Sequence, residues 1–240
     1  VSIENSTDHF ELIITQKESD WVKNWKDRYT VSLQINAPRR SACTLKTSDG
    51  DIRLKNFQGE QYCKTSDGNI SVKDVNGDLN AQTSDGNINL MNIQGSCELV
   101  TSDGDINAEN IQGGLNGKTS DGSITLHNVQ GENAARTSDG NIVFDGMKGS
   151  INAQTSDGDI RGEINALSNA LYLKTSDGDI TVTIPKSLGL DLFLRGERID
   201  TKLEDFSGEA REHSVEGKIR GGGVHVELTT SDGAISLNYQ

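Results

Sequence analysis

Apolar and polar residues alternate in short bursts along this chain, and the bursts recur every 18 residues. Within residues 65–82, Ile70 and Val72 alternate with Asn69, Ser71 and Lys73. Leu79 and Ala81 repeat the alternation nine residues later. A period of two puts one face of each burst in a core and the other in water, which predicts two short strands per unit. Val75 and its equivalents Phe57, Ile93, Ile111, Val129 and Met147 add a third apolar contact between them. The connections hold Gly and Asn or Asp and are too short for a helix. Stacked parallel strands without crossover helices predict an all-β parallel β-solenoid of the β-helix or β-roll type. The crossover rule favours the right hand, and about ten or eleven coils at ~4.8 Å each give a rod of roughly 50 Å.

Each unit opens on Thr-Ser-Asp-Gly, at Thr47, Thr65, Thr83, Thr101, Thr119, Thr137, Thr155, Thr175 and Thr230. Two residues past each Gly stands an isoleucine, from Ile52 to Ile180 and again at Ile235. The expected corner has Thr filling space, Asp capping its own turn, Gly supplying positive φ and Ile anchoring the core.

The ends depart from the pattern. Residues 10–14 and 29–35 read as strands, and 19–28 as a short helix with Trp21, Val22 and Trp25 on one face. Such a helix suits a cap over the open end of a solenoid, and Trp21 and Trp25 are also a candidate sugar platform. The coil 155–174 carries two extra residues, expected as a bulged turn around 164–170. Pro185 interrupts the ladder, residues 204–223 read as a protruding hairpin or loop, and the last Thr-Ser-Asp-Gly is expected to close the rod. The chain is thus one solenoid domain over 1–240. It has N-terminal coils and cap at 1–46, regular repeats at 47–184, irregular coils at 185–229 and a closing coil at 230–240.

Composition narrows function more than fold. Only 32% of the 240 residues are hydrophobic, but their fixed spacing fills a thin core and argues against disorder. A net charge of −13, with Lys and Arg scattered, argues against nucleic acid. No stretch is long and apolar enough to insert in a membrane. The chain starts inside an apparent strand, which implies a leader or anchor ahead of Val1. Cys43, Cys63 and Cys97 fall on apolar columns and read as small buried thiols.

The repeated Lys-Thr-Ser-Asp-Gly-Asp-Ile motif (46–52 and 174–180) resembles that of the bacterial adhesin-type domain family of exported or membrane-anchored β-solenoids. So does the ending, Val-Glu-Gly-Lys-Ile-Arg-Gly-Gly-Gly at 215–223 with 228–237 after it. The resemblance spans about 30–240. It implies an extracytoplasmic place (cell surface, periplasm or secreted), an adhesive or scaffolding role and no assigned chemistry.

Stacking places Asp49, Asp67, Asp85, Asp103, Asp121, Asp139, Asp157, Asp177 and Asp232 in one ladder. Carboxylates ~5 Å apart repel by ~0.8 kcal/mol in water, so each needs a backbone donor or a cation. Turn capping is favoured over calcium, because the glycine and Asp spacing of calcium-binding β-rolls is absent; no cofactor or metal site is expected. The Thr column points inward, which argues against ice binding. The four histidines form no catalytic or metal spacing, so no enzyme is expected. The one non-repetitive polar cluster is Arg211, Glu212, His213, Glu216 and His225. The leading expectation is a monomeric, non-enzymatic surface or envelope solenoid with an unknown surface ligand or protein partner. The alternative is a carbohydrate-binding or carbohydrate-processing solenoid acting through 204–225.

Overall fold

The two alternating stretches of each unit bury their apolar sides together only if successive units stack, and that is how the chain folds. The structure is a computed structural model and describes Ser2–Asn5, Phe10–Ile13 and residues 32–240. These fall into two compact units, 1–36 and 37–240. In the first, Ser2–Asn5 and Phe10–Ile13 pair antiparallel. Residues 32–35, expected to end a strand, form none: Leu33 and Ile35 are exposed and unpaired. The remainder of that stretch and the 19–28 helix lie outside the described residues.

The second unit is the solenoid. One file of parallel strands runs through Ile52–Lys55, Ile70–Asn76, Ile88–Gln94 and Ile106–Gln112. The other runs through Cys43–Lys46, Gln61–Lys64, Leu79–Gln82, Cys97–Val100 and Leu115–Lys118. In Ile124–Arg136, Ile142–Gln154 and Ile160–Lys174 the two expected strands merge into one that turns the corner unbroken. Register sets isoleucine on isoleucine from Ile52 to Ile180, and those from Ile70 onward are fully buried. Each contributes about 1.5–3 kcal/mol by burial. The extra residues of 155–174 bulge where expected, with register shifts that take Gly149 to Leu167 and Ile151 to Leu171.

At the corner, threonine does more than fill. Thr101 Oγ1 lies 3.0 Å from both Ser84 O and Gly86 O of the preceding coil and shares its one proton between them. It also accepts Gly104 N–H at 3.3 Å. The Ser102 and Asp103 amides both donate to Ser84 O. The same pattern links the coils before and after.

The glycines of this motif are not in the left-handed region. They are glycine because coils touch there: a Cβ on Gly86 would stand 1.9 Å from Gly68 O. Left-handed backbone belongs to the second turn instead, at Asp74, Asn92, Asn110 and Asn128 (φ 53–57°). Their side chains form a ladder of their own, with Asn92 Nδ2 donating to Asp74 Oδ1 at 2.8 Å and Asn128 Nδ2 to Asn110 Oδ1 at 2.7 Å.

The C-terminal coils do not stack in sequence order. Ile180–Ile184 pairs with Ala234–Tyr239, and that strand pairs in turn with Arg198–Thr201. In the other file, 170–174 pairs with Val224–Thr229, which pairs with Leu190–Arg195. The last coil is therefore inserted between the coil before Pro185 and the coil after it, rather than closing the rod. Pro185 marks the step over the vacant layer, and the left-handed Arg220-Gly221-Gly222-Gly223 turn brings the chain back to fill it. The outer end is covered by a hairpin. Ser214–Ile219 pairs antiparallel with both Leu190–Arg195 and Phe206–Arg211, and it buries Val215 and Ile219.

Candidate functional site

The nine motif aspartates sit on the exposed corner. None of their carboxylates takes a hydrogen bond among the described residues, so the expected capping of their own turn is not what they do. Capping falls two residues on. Asp51 Oδ1 accepts Asn69 N–H at 2.9 Å, Asp105 Oδ1 accepts Ser123 N–H at 2.8 Å, and Asp179 Oδ1 accepts Ala234 N–H at 2.8 Å. The Asn69 amide, helped by Arg53, holds the Asp51 carboxyl below the usual carboxylate range. Among the described residues, no group of three or more His, Cys, Asp or Glu is placed to hold a metal ion.

The C-terminal cluster is divided by the hairpin. Arg211 is paired with Glu209 at the tip (2.6 Å). His213 Nδ1 donates to Glu197 O at 2.7 Å. Glu216 and His225 instead face one shallow groove of about 440 Å³, together with Asp191, Phe193, Lys218 and Glu227. His225 lies 3.4 Å from Glu227 and packs against Tyr172, with ring centroids 5.2 Å apart and planes tilted by 45°. Trp21 and Trp25 lie outside the described residues.

A larger groove of about 700 Å³ lies on the outer face of the second file, between Glu60 and Tyr172. Register aligns its ridge as Asn80, Glu98, Asn116, Ala134, Asn152 and Tyr172. Asn116 Nδ2 donates to both Glu98 oxygens at 3.0 and 3.1 Å. The Asn80 and Asn152 side-chain oxygens accept from Gln82 and Gln154 at 3.0 and 2.9 Å. Gly114, Asn133 and Ala134 are among the residues along its middle. Asn133 is 6% exposed, in an inward column that also holds Leu79, Cys97, Leu115, Ile151 and the fully buried Gln61, whose side-chain oxygen likewise has no donor. Asn133 Nδ2 donates to Gly131 O and Ser150 O, and its buried Oδ1 has no donor.

The sequence reading passed over these residues. Their signal was the variable column three positions before each Thr, beside an inward file that carries polar residues at Gln61 and Asn133. The cysteines are free, and burial pushes Cys63 and Cys97 up to about 12.

Among curated proteins and solved structures, none matches this chain significantly. The Toastrack DUF4097 family, a domain of unknown function, matches residues 27–109 and 78–238. Those spans cover most of the solenoid, including its inserted last coil, and the chain belongs to the Toastrack DUF4097 family.

Proposed function

We propose that this Toastrack solenoid is a non-enzymatic scaffold at a cell surface or in the envelope. It acts as a monomer, adhesin-like, on a surface ligand. One observation carries the reading: Thr, Asn and backbone ladders at both turns tie every coil to the next, so the outward columns stand at fixed register. Such a rod presents a long, stiff surface and spends its invariant residues on stacking. Among the described residues, no helix is long and apolar enough to cross a membrane. Protease treatment of intact cells expressing the full-length protein tests the location. Cleavage or surface labelling is expected, and full protection until lysis would overturn it.

A second reading has support from one place. Glu216 and His225 share a groove with Asp191 and Lys218, a setting suited to carbohydrate hydroxyls. Under that reading Glu216→Gln weakens glycan binding or turnover while His213→Ala, out on the hairpin, does not.

A further inference from the structure

We infer that Asp49 is a site of spontaneous backbone modification, where the peptide link to Gly50 rearranges through a cyclic imide to isoaspartate. The Thr-Ser-Asp-Gly motif puts nine chemically identical Asp-Gly pairs in one corner column, and the fold leaves this one open.

Asp-Gly is prone to this reaction because glycine has no side chain to obstruct its own nitrogen. The Gly50 nitrogen attacks Cγ of the protonated Asp49 carboxyl. A C–N bond forms, and the carboxyl hydroxyl leaves with the amide proton as water. Water then opens the five-membered ring. Attack at Cγ restores aspartate, whereas attack at the α-carbonyl breaks its bond to nitrogen and leaves the chain running through Cβ and Cγ. Mass and oxidation state are unchanged. The reaction needs a free carboxyl, a nitrogen able to shed its proton, and room for the backbone to turn.

All nine motif aspartates are exposed and meet the first need. The other two set Asp49 apart. Gly50 is exposed, whereas the other eight motif glycines are buried. A Cβ built on Gly50 finds the Thr47 side chain as its nearest neighbour, at 3.2 Å. On any of the other eight it would drive into the carbonyl of the motif glycine in the adjacent layer. Gly50 N–H does donate to Thr47 Oγ1 at 3.3 Å, a long bond to an exposed residue. The eight later threonines are buried, and each hydroxyl meets two carbonyls of the adjacent coil, as Thr65 and Thr230 do. Among the described residues the Ser48 and Asp49 amides have no acceptor, while those of Ser66 and Asp67 donate to Ser48 O at 2.9 and 3.0 Å. The corner at 47–50 is held from one side and the later corners from both.

The modification also spreads. It inserts a backbone carbon between Ser48 and Gly50, whose carbonyls accept Thr65 Oγ1 at 3.0 and 3.1 Å. Parting them releases Thr65, frees the space beside Gly68 and puts Asp67 where Asp49 stood. Isomerisation then advances coil by coil toward the C-terminus, since each coil contacts only its neighbours. Asp145-Gly146, an Asp-Gly pair outside the motif, lies within the continuous strand Ile142–Gln154 with its carboxylate 3.6 Å from His127, and should trail Asp49.

The test holds the intact chain at neutral pH and body temperature for several weeks. Isoaspartate is then mapped at every site by electron-transfer fragmentation and isoaspartyl methyltransferase labelling. Asp49 should lead every other motif by about tenfold or more, the factor set by about 1.4 kcal/mol of local opening at a buried coil. In urea the nine should converge. Gly50→Ala should abolish the signal at Asp49, delay that at Asp67 and leave the melting temperature close to the parent's, which separates the chemistry from folding. Asp49→Asn, which reaches the same imide by losing ammonia, should bring both signals forward. Even accumulation across the folded motifs, or a lead for Asp49 that persists in urea, would overturn the site. An Asp67 rate indifferent to Gly50→Ala would overturn the stepwise spread.

Discussion

Replacing Thr101 by valine keeps the shape and β-branch of the side chain and deletes one oxygen. Thr101 is 3% exposed, and its hydroxyl is the partner of Gly104 N–H at 3.3 Å and of Gly86 O at 3.0 Å. Ser84 O keeps two backbone donors after the change, from Ser102 and Asp103. Gly104 N–H and Gly86 O are left buried with no partner. At about 1–3 kcal/mol for each stranded group, the expected loss is about 2–4 kcal/mol. Thr101→Ser keeps the hydroxyl and should lose about 1 kcal/mol through the missing methyl. Thr47 supplies an internal control. Its hydroxyl accepts Gly50 N–H at 3.3 Å but is exposed and, among the described residues, reaches no carbonyl of another coil, so Thr47→Val should cost under about 1 kcal/mol. Urea denaturation gives the midpoints, and native-state hydrogen exchange at Gly104 locates the effect, since solenoids open locally. If Thr101→Val matched the parent within about 0.5 kcal/mol, the threonine ladder would not be what holds the corner.

Other consequences follow from the same contacts. Gly122→Ala should cost about 3 kcal/mol or more, because its Cβ would stand 2.0 Å from Gly104 O and neither backbone can move; a melting temperature within a few degrees of the parent would refute this. Gly162→Ala should destabilise by driving a methyl into the Phe144 ring, 1.8 Å away, and adding Phe144→Leu should restore most of the loss. Asp121→Asn should be neutral or slightly stabilising at low salt, since that carboxylate holds no hydrogen bond and faces like charges. Asp105→Ala, by contrast, should cost about 1 kcal/mol by uncapping Ser123 N–H. Burial raises the folded pKa of Cys63 and Cys97 to about 12 from 9.0, so the unfolded chain gives up those protons first. Their stability contribution is intact below pH 9 and is lost as pH climbs from 9 toward 12. Each thiol contributes about 1.4 kcal/mol per pH unit, which Cys63→Ala and Cys97→Ala should remove from the measured slope.

The solenoid was legible because its core is written twice per coil, and no other arrangement buries Ile70 and Leu79 together. The corner was harder. Asp67 looked like a cap and Gly68 like a left-handed turn residue, since that is how the pair acts in isolation. Which oxygen caps which amide depends on the next coil, and the constraint on Gly68 comes from Gly50 O, 18 residues away. The inserted last coil left a clearer trace than was read from it. Pro185 and the triple glycine at 221–223 bracket the departure and the return, yet only pairing shows that Ser231 N–H donates to Ser176 O. The groove stayed hidden for a related reason: Asn80, Asn116 and Asn152 are 36 residues apart in sequence and become a row only after stacking.

Layer order in the C-terminal coils is where this account departs most from a simple stack, and paired cysteines test it directly. Thr181 faces Ser236, and Ser236 faces Asp200, on consecutive strands of one file. Directly opposed residues on neighbouring strands are close enough for a disulfide, whereas residues two layers apart, at ~9.6 Å, are not. In variants carrying two cysteines, 181 with 236 and 200 with 236 should each cross-link on mild oxidation, and 181 with 200 should stay reduced. The 200 with 236 pair would cross-link in either order; a rod stacked in sequence order would bridge 181 to 200 rapidly and leave 181 with 236 reduced, and that result would contradict the inserted coil.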